Sequence, residues 1–147
     1  MSYAIDVNVL LYASDSSSPL SKTARAFLDH CAGGSEVLCL GWPTLSAYLR
    51  LATHPAVFAS RLPRRGRVQR RLAPFPDPRP RPVGKGGILG RLPRRHRGLA
   101  VRGNDVPDAH LAALLRQHDV PTLYTNDRDF RKYPFLKIVD PLEKSAA

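Results

Sequence analysis

The chain has 147 residues, 43% of them hydrophobic, which suits one domain with a real core and gives no reason to divide it. A formal charge of +11 would ordinarily point to nucleic acid or an anionic membrane surface, yet residues 61–100 hold thirteen of the 23 Lys and Arg and one of the 12 acids, Asp77. That block carries +12 and the remainder −1, so charge alone assigns no partner to the rest of the chain.

Met1 to Ala13 reads MSYAIDVNVLLYA, with no basic flank and with Asp6 and Asn8 inside the apolar stretch. This argues against a signal peptide or membrane span and leads us to expect a soluble, cytoplasmic protein with no membrane partner. Tyr3, Ala4 and Ile5 fit a short buried strand ending at Asp6, with a helical turn behind it. After the polar loop Ser14–Ser18, Pro19 suits the first turn of a helix. From Lys22 onward, Ala24, Phe27, Leu28 and Cys31 recur at helical spacing, and Gly33-Gly34 supplies the stop. Val37 to Leu40, between Glu36 and Gly41, reads as a second buried strand. Cys31 and Cys39 lack C-x-x-C spacing or a histidine in zinc-like register, so reduced core thiols are expected. Pro43 opens the next helix, with Leu45, Tyr48, Leu49 and Ala52 on one face and His54-Pro55 as its end.

Residues 61–100 break this pattern. They contain twelve Arg, seven Pro and eleven residues of the Ala, Val, Ile, Leu and Phe types, with no sustained period. Closely spaced prolines remove backbone donors and clustered arginines repel, so an irregular or disordered insert is expected within a single domain spanning 1–147. Beyond it, Asp105 to His118 is helical with Leu111, Leu114 and Leu115 on one side, and Thr122–Thr125 and Leu136–Val139 are strands. Short apolar strands alternating with helices predict an α/β fold around a parallel sheet.

In such sheets ligands bind beyond the carboxyl ends of the strands. Asp6 ends the first strand, Asp127 follows the strand Thr122–Thr125, and Asp108 lies in the first turn of a helix, so three carboxylates can converge at one edge. Grouped carboxylates repel unless a hard divalent cation neutralises them, and the chemistry this implies is metal-assisted phosphodiester hydrolysis.

The segments Tyr3-Ala-Ile-Asp6-Val-Asn8-Val-Leu-Leu-Tyr-Ala, Trp42-Pro-Thr-Leu-Ser-Ala-Tyr-Leu-Arg-Leu-Ala-Thr-His-Pro, Val106-Pro-Asp108-Ala-His-Leu-Ala-Ala-Leu and Tyr124-Thr-Asn-Asp127-Arg-Asp129-Phe resemble the VapC toxins of the PIN-domain ribonuclease family, in family order. The resemblance covers roughly residues 3–59 and 101–142. It implies a three-layer α/β/α sandwich, a homodimer, and a Mg²⁺- or Mn²⁺-dependent endoribonuclease leaving 5′-phosphate and 3′-hydroxyl ends. It also implies a toxin-antitoxin system with a cognate VapB-like antitoxin. Carried over, Asp6, Asp108 and Asp127 match the family's metal-binding aspartates, Asn8 and Thr125 match positions that orient them, and Asp129 is a further ligand or support. The family's acidic residue on the helix after the second strand has no counterpart in Trp42–Leu51.

Plainer roles stand beside these. Asp105 and Asp108 are spaced like a capping box, Asp6 can cap the turn it precedes, and Asp127 and Asp129 suit a turn. Arg128 is a solvated loop arginine or a phosphate contact, and Phe27, Trp42 and Tyr48 are core or dimer-interface residues or base-stacking ones. The five histidines are scattered and none stands out as an acid or base. The basic block is either an RNA-binding arm or the product of two compensating frameshifts, since G- and C-rich codons read out of register yield Arg, Pro, Gly and Ala. A frameshift would remove roughly a quarter of the core, which a marginally stable fold tolerates poorly. The alternative function is then an inactive remnant that keeps antitoxin or RNA binding without catalysis. A basic nucleic-acid-binding adaptor is a third possibility. Translating the other frames tests the frameshift: amphipathic helices across codons 60–101 support it, and their absence removes it.

Overall fold

Side chains on the strands alternate between two helical layers, and this alternation sets the architecture. The computed structural model describes residues 1–54, 103 and 105–143. In order, these form β1 (Ser2–Ile5), α1 (Val7–Ser14), α2 (Ser21–Gly33), β2 (Val37–Cys39), α3 (Trp42–Ala52), α4 (Asp105–Gln117), β3 (Thr122–Tyr124), a 3₁₀ turn (Arg128–Lys132) and β4 (Lys137–Val139). The strands make one all-parallel sheet in the order β2-β1-β3-β4, with Ala4 paired to both Cys39 and Leu123, and Leu123 to Ile138.

On one face, Ala4 and Leu123 pack with Ala109, Leu111, Ala112 and Leu115 of α4 and with Phe130, Tyr133 and Leu136. On the other, Tyr3 and Ile5 meet Val9 and Leu10 of α1, Tyr48 and Ala52 of α3, and Phe27 and Leu28 of α2. Helices therefore cover both faces, as a parallel sheet requires, and the chain is a three-layer α/β/α sandwich, as expected. Cys31 belongs to the second layer and Cys39 to the first, both free and partly buried, and burial pushes both thiols up.

Local signals account for most boundaries. Asp6 has extended backbone and its carboxylate accepts the Val7 N–H at 2.7 Å, opening α1, which runs for eight residues rather than a single turn. Gly41 precedes Pro43 in the first turn of α3, and a Cβ there would stand 3.2 Å from Leu111 Cδ1, so the glycine lets α3 start close against α4. Helix α4 ends in a Schellman motif: Asp119 takes left-handed backbone (φ 52°), and the amides of Val120 and Asp119 bond to the carbonyls of Leu115 and Arg116. Val120 and Leu115 are both buried in the same core, which supplies the accompanying apolar contact.

Three expectations need correction. Pro19 lies before α2 instead of inside its first turn; Leu20 is the N-cap residue and makes no side-chain cap. Strand β2 is an edge strand with Val37 62% exposed, because sheet order, which a single apolar run does not encode, leaves it one neighbour. On α3 the buried side chains are Thr44, Tyr48 and Ala52, at strict i, i+4 spacing, and Leu49 is turned away from them and exposed. The expected irregular insert at 61–100, and Pro55 at the expected end of α3, lie outside the described residues. Among the described residues no helix is long and apolar enough to cross a membrane.

Candidate active site

Strands β1 and β3 are parallel neighbours with Ile5 opposite Tyr124, so the following residues, Asp6 and Thr125, leave the sheet at the same end. The Asp6 N–H donates to the Tyr124 carbonyl at 3.0 Å, prolonging the pairing by one step before α1 begins. Besides capping α1 through Oδ1, Asp6 accepts the Thr125 hydroxyl at Oδ2, 2.8 Å away. Thr125 is 1% exposed, and its oxygen also accepts from Asn8 Nδ2 and from the Asp127 N–H, each at 3.0 Å. A hydroxyl has one donor and two acceptor sites, so all three are used. This hub ties Asp6 and Asn8 to Asp127. Asp127 in turn opens the 3₁₀ turn, its Oδ1 accepting the Asp129 N–H at 2.9 Å.

Asp108 joins them from α4. Burial first, and then the charges of Asp6 and Asp127, push its carboxyl up from the ordinary 3.8 to about 6. Asp6 is raised as well: burial dominates, the bonds from Thr125 and Val7 work against it, and Asp127 adds to the rise. The three sequence-predicted aspartates thus come to one end of the sheet, within electrostatic reach of one another. Asn8 and Thr125 stand between them as hydrogen-bonding supports. Asp129 is exposed and serves Asp127 through its amide.

The plainer roles hold for Asp6 and Asp127, each of which caps a helical segment while lying within electrostatic reach of another carboxylate. Arg128 is exposed, as are His30, His54, His110 and His118. Tyr48 is buried with its hydroxyl 2.7 Å from Ser14 Oγ, and Phe27 packs on Tyr124 with ring centres 4.8 Å apart. Trp42, by contrast, is 64% exposed and is not a core residue.

One site feature was not foreseen. Lys132 Nζ lies 2.9 Å from Asp105 Oδ1, joining the start of α4 to the end of the 3₁₀ turn. Nothing in a 27-residue separation signals it, and Asp105 had its own local explanation as a helix-start residue.

The donor set is entirely oxygen, which suits a hard divalent cation. Asn8 Oδ1, beside the Asp6 and Thr125 network, is buried with no hydrogen-bond partner and adds an unspent acceptor. Among the described residues no three His, Cys, Asp or Glu side chains form a ready-made metal cage.

The raised Asp108 gives a pH prediction. Its folded-state pKa exceeds the unfolded one, so between about pH 4 and 6 the folded chain holds more protons, and stability falls as pH rises through that window. In chelator, the melting midpoint of the parent chain should fall relative to Asp108→Asn as pH goes from about 4 to about 7. A constant gap would show that Asp108 titrates normally. Partial exposure of Asp108 keeps the effect modest.

No family model matches the chain. It is similar to ribonuclease VapC48 of Mycobacterium tuberculosis, with 36% identity over 142 residues, 96% of this chain and 98% of that relative. Ribonuclease VapC37 of the same organism is 30% identical over 137 residues, 88% of this chain and 90% of the relative. Ribonuclease VapC33, also from M. tuberculosis, is 28% identical over 144 residues, 95% and 97% of the two chains. A match covering 96% of the chain necessarily reaches across the basic segment.

Proposed function

The chain belongs to the VapC family of PIN-domain ribonucleases, and on that footing we propose that it is a toxin of a toxin-antitoxin pair, cleaving RNA at the sheet end where Asp6, Asp108 and Asp127 gather. The observation that carries this is electrostatic: the charge of Asp127 raises the proton affinity of Asp6, and those of Asp6 and Asp127 raise that of Asp108, an arrangement that costs stability unless a cation uses it. Mg²⁺ or Mn²⁺ is the proposed cation, held by these three carboxylates with Asn8 Oδ1 as a supporting oxygen. Once bound, the ion supplies Lewis-acid activation of water and neutralises charge building on the scissile phosphodiester.

The chain's own residues supply the positioning. Val7 N–H and the Thr125 hydroxyl fix both oxygens of Asp6, so its orientation is set before any ligand arrives. Thr125 holds the Asp127 backbone in the same grip, and the start of α4 brings Asp108 opposite. Asp129, exposed next to this edge, is the proposed further support. The proposed partners are an RNA substrate, a VapB-like antitoxin and a second copy of the chain, and the ends left on RNA are 5′-phosphate and 3′-hydroxyl.

The test is metal removal. Purified chain freed of metal should bind Mn²⁺ in a calorimetric titration and cleave RNA only when Mg²⁺ or Mn²⁺ is returned. Cleavage that survives exhaustive chelation would overturn the metal assignment. Light scattering settles the assembly, a homodimer having twice the 16.3 kDa chain mass.

A further inference from the structure

Asp105 and Asp108 stand three residues apart at the start of α4, a spacing that puts them on neighbouring places of one helix side. Lys132 approaches this pair from the end of the 3₁₀ turn. Its ammonium is 2.9 Å from Asp105 Oδ1 and 5.6 Å from the centre of the Tyr133 ring. Its charge also reaches Asp108, and that of Asp108 reaches Lys132. An ammonium on a flexible four-carbon stem follows whichever carboxylate holds it best, so the chain carries its own competitor for the cation site.

Resting on the metal reading above, we infer that Asp105 is a positioning residue that traps Lys132, holding the ammonium off Asp108 so that the edge formed by Asp6, Asp108 and Asp127 stays open to a divalent ion. Paired with Asp105, Lys132 presents an arriving dication with a neutralised couple instead of a bare positive charge. Released, the same lysine sits within reach of the carboxylate that the dication needs. The Tyr133 ring offers the ammonium a second, weaker hold on the trapped side.

The experiment is a double-mutant cycle on the full chain, read by calorimetric Mn²⁺ titration, with melting in chelator as a folding control. Asp105→Asn should weaken Mn²⁺ binding roughly tenfold. In a Lys132→Met background the same substitution should change affinity by less than about twofold, because nothing is left to release. Asp105→Glu, which keeps the pair, should bind like the parent. Should Asp105→Asn fail to fold, Asp105→Ser supplies the same comparison with a favourable helix-start residue. An equal loss with and without Lys132 overturns the trap, since Asp105 then acts only as a nearby negative charge; so does no loss in either background. A parent chain that binds no Mn²⁺ overturns the metal reading itself and the trap with it, whereas tight binding by Asp105→Asn overturns the trap alone.

Discussion

Asp6→Asn is expected to lower RNA cleavage by about a thousandfold or more while the protein stays folded. The two halves of that outcome have separate causes. An asparagine oxygen can still accept the Val7 N–H, and Asn is among the best residues at a helix N-cap, so α1 keeps its start. The substitution also removes a buried charge whose ionisation burial and Asp127 already oppose, which offsets the weakened bond with Thr125. What cannot be replaced is the negative charge for a cation. Cleavage of a fluorogenic RNA with enzyme in excess, together with a thermal melt, reads both quantities. Retained cleavage would take Asp6 out of the chemistry, and a collapsed melt would make its role structural.

Phe130→Ala should cost about 3–5 kcal/mol of unfolding free energy. That is a large share of the roughly 5–15 kcal/mol by which a domain is stable. Phe130 is 1% exposed and heads the largest fully buried side chains, packed in the core that Ala4, Leu123 and the apolar side of α4 form. It is also the apolar anchor of the 3₁₀ turn, between Asp127 at its cap and Lys132 at its end. Its loss should therefore loosen both, and Mn²⁺ binding should weaken along with stability. Denaturant melts measure the first effect; a loss below about 1 kcal/mol would mean that the turn is fixed by its hydrogen bonds instead.

That Asp6 and Asp127 leave the sheet at the same end was legible in sequence because a parallel sheet converts position along the chain into position in space. A residue just past one strand's carboxyl end must lie near the residue just past its neighbour's, and Asp6 and Thr125 obey that rule through the pairing of Ile5 with Tyr124. Leu111, Leu114 and Leu115 were equally legible, since helical spacing alone puts them on one side, and all three are buried. Gly33-Gly34 marked the end of α2, which closes at Gly33 with Gly34 as an extended cap rather than in the left-handed backbone that glycine usually supplies there. What stayed hidden depends on neighbours a linear pattern does not name. Val37 is apolar yet exposed because β2 drew an edge place in the sheet, and Trp42 opens α3 with its ring outside the core. The hydroxyl of Thr125 was readable as a support but not as the saturated junction of three bonds. The pairing of Asp105 with Lys132 was missed because each residue had a sufficient local explanation.

The bond from Thr125 to Asp6 joins residues 119 apart. A polypeptide still being synthesised exposes Asp6 and α1 first, while Asp108, Thr125 and Asp127 remain within the ribosome's exit tunnel or untranslated. The proposed cation site, whose carboxylates come from both ends of the sequence, therefore cannot assemble on such a half-made chain.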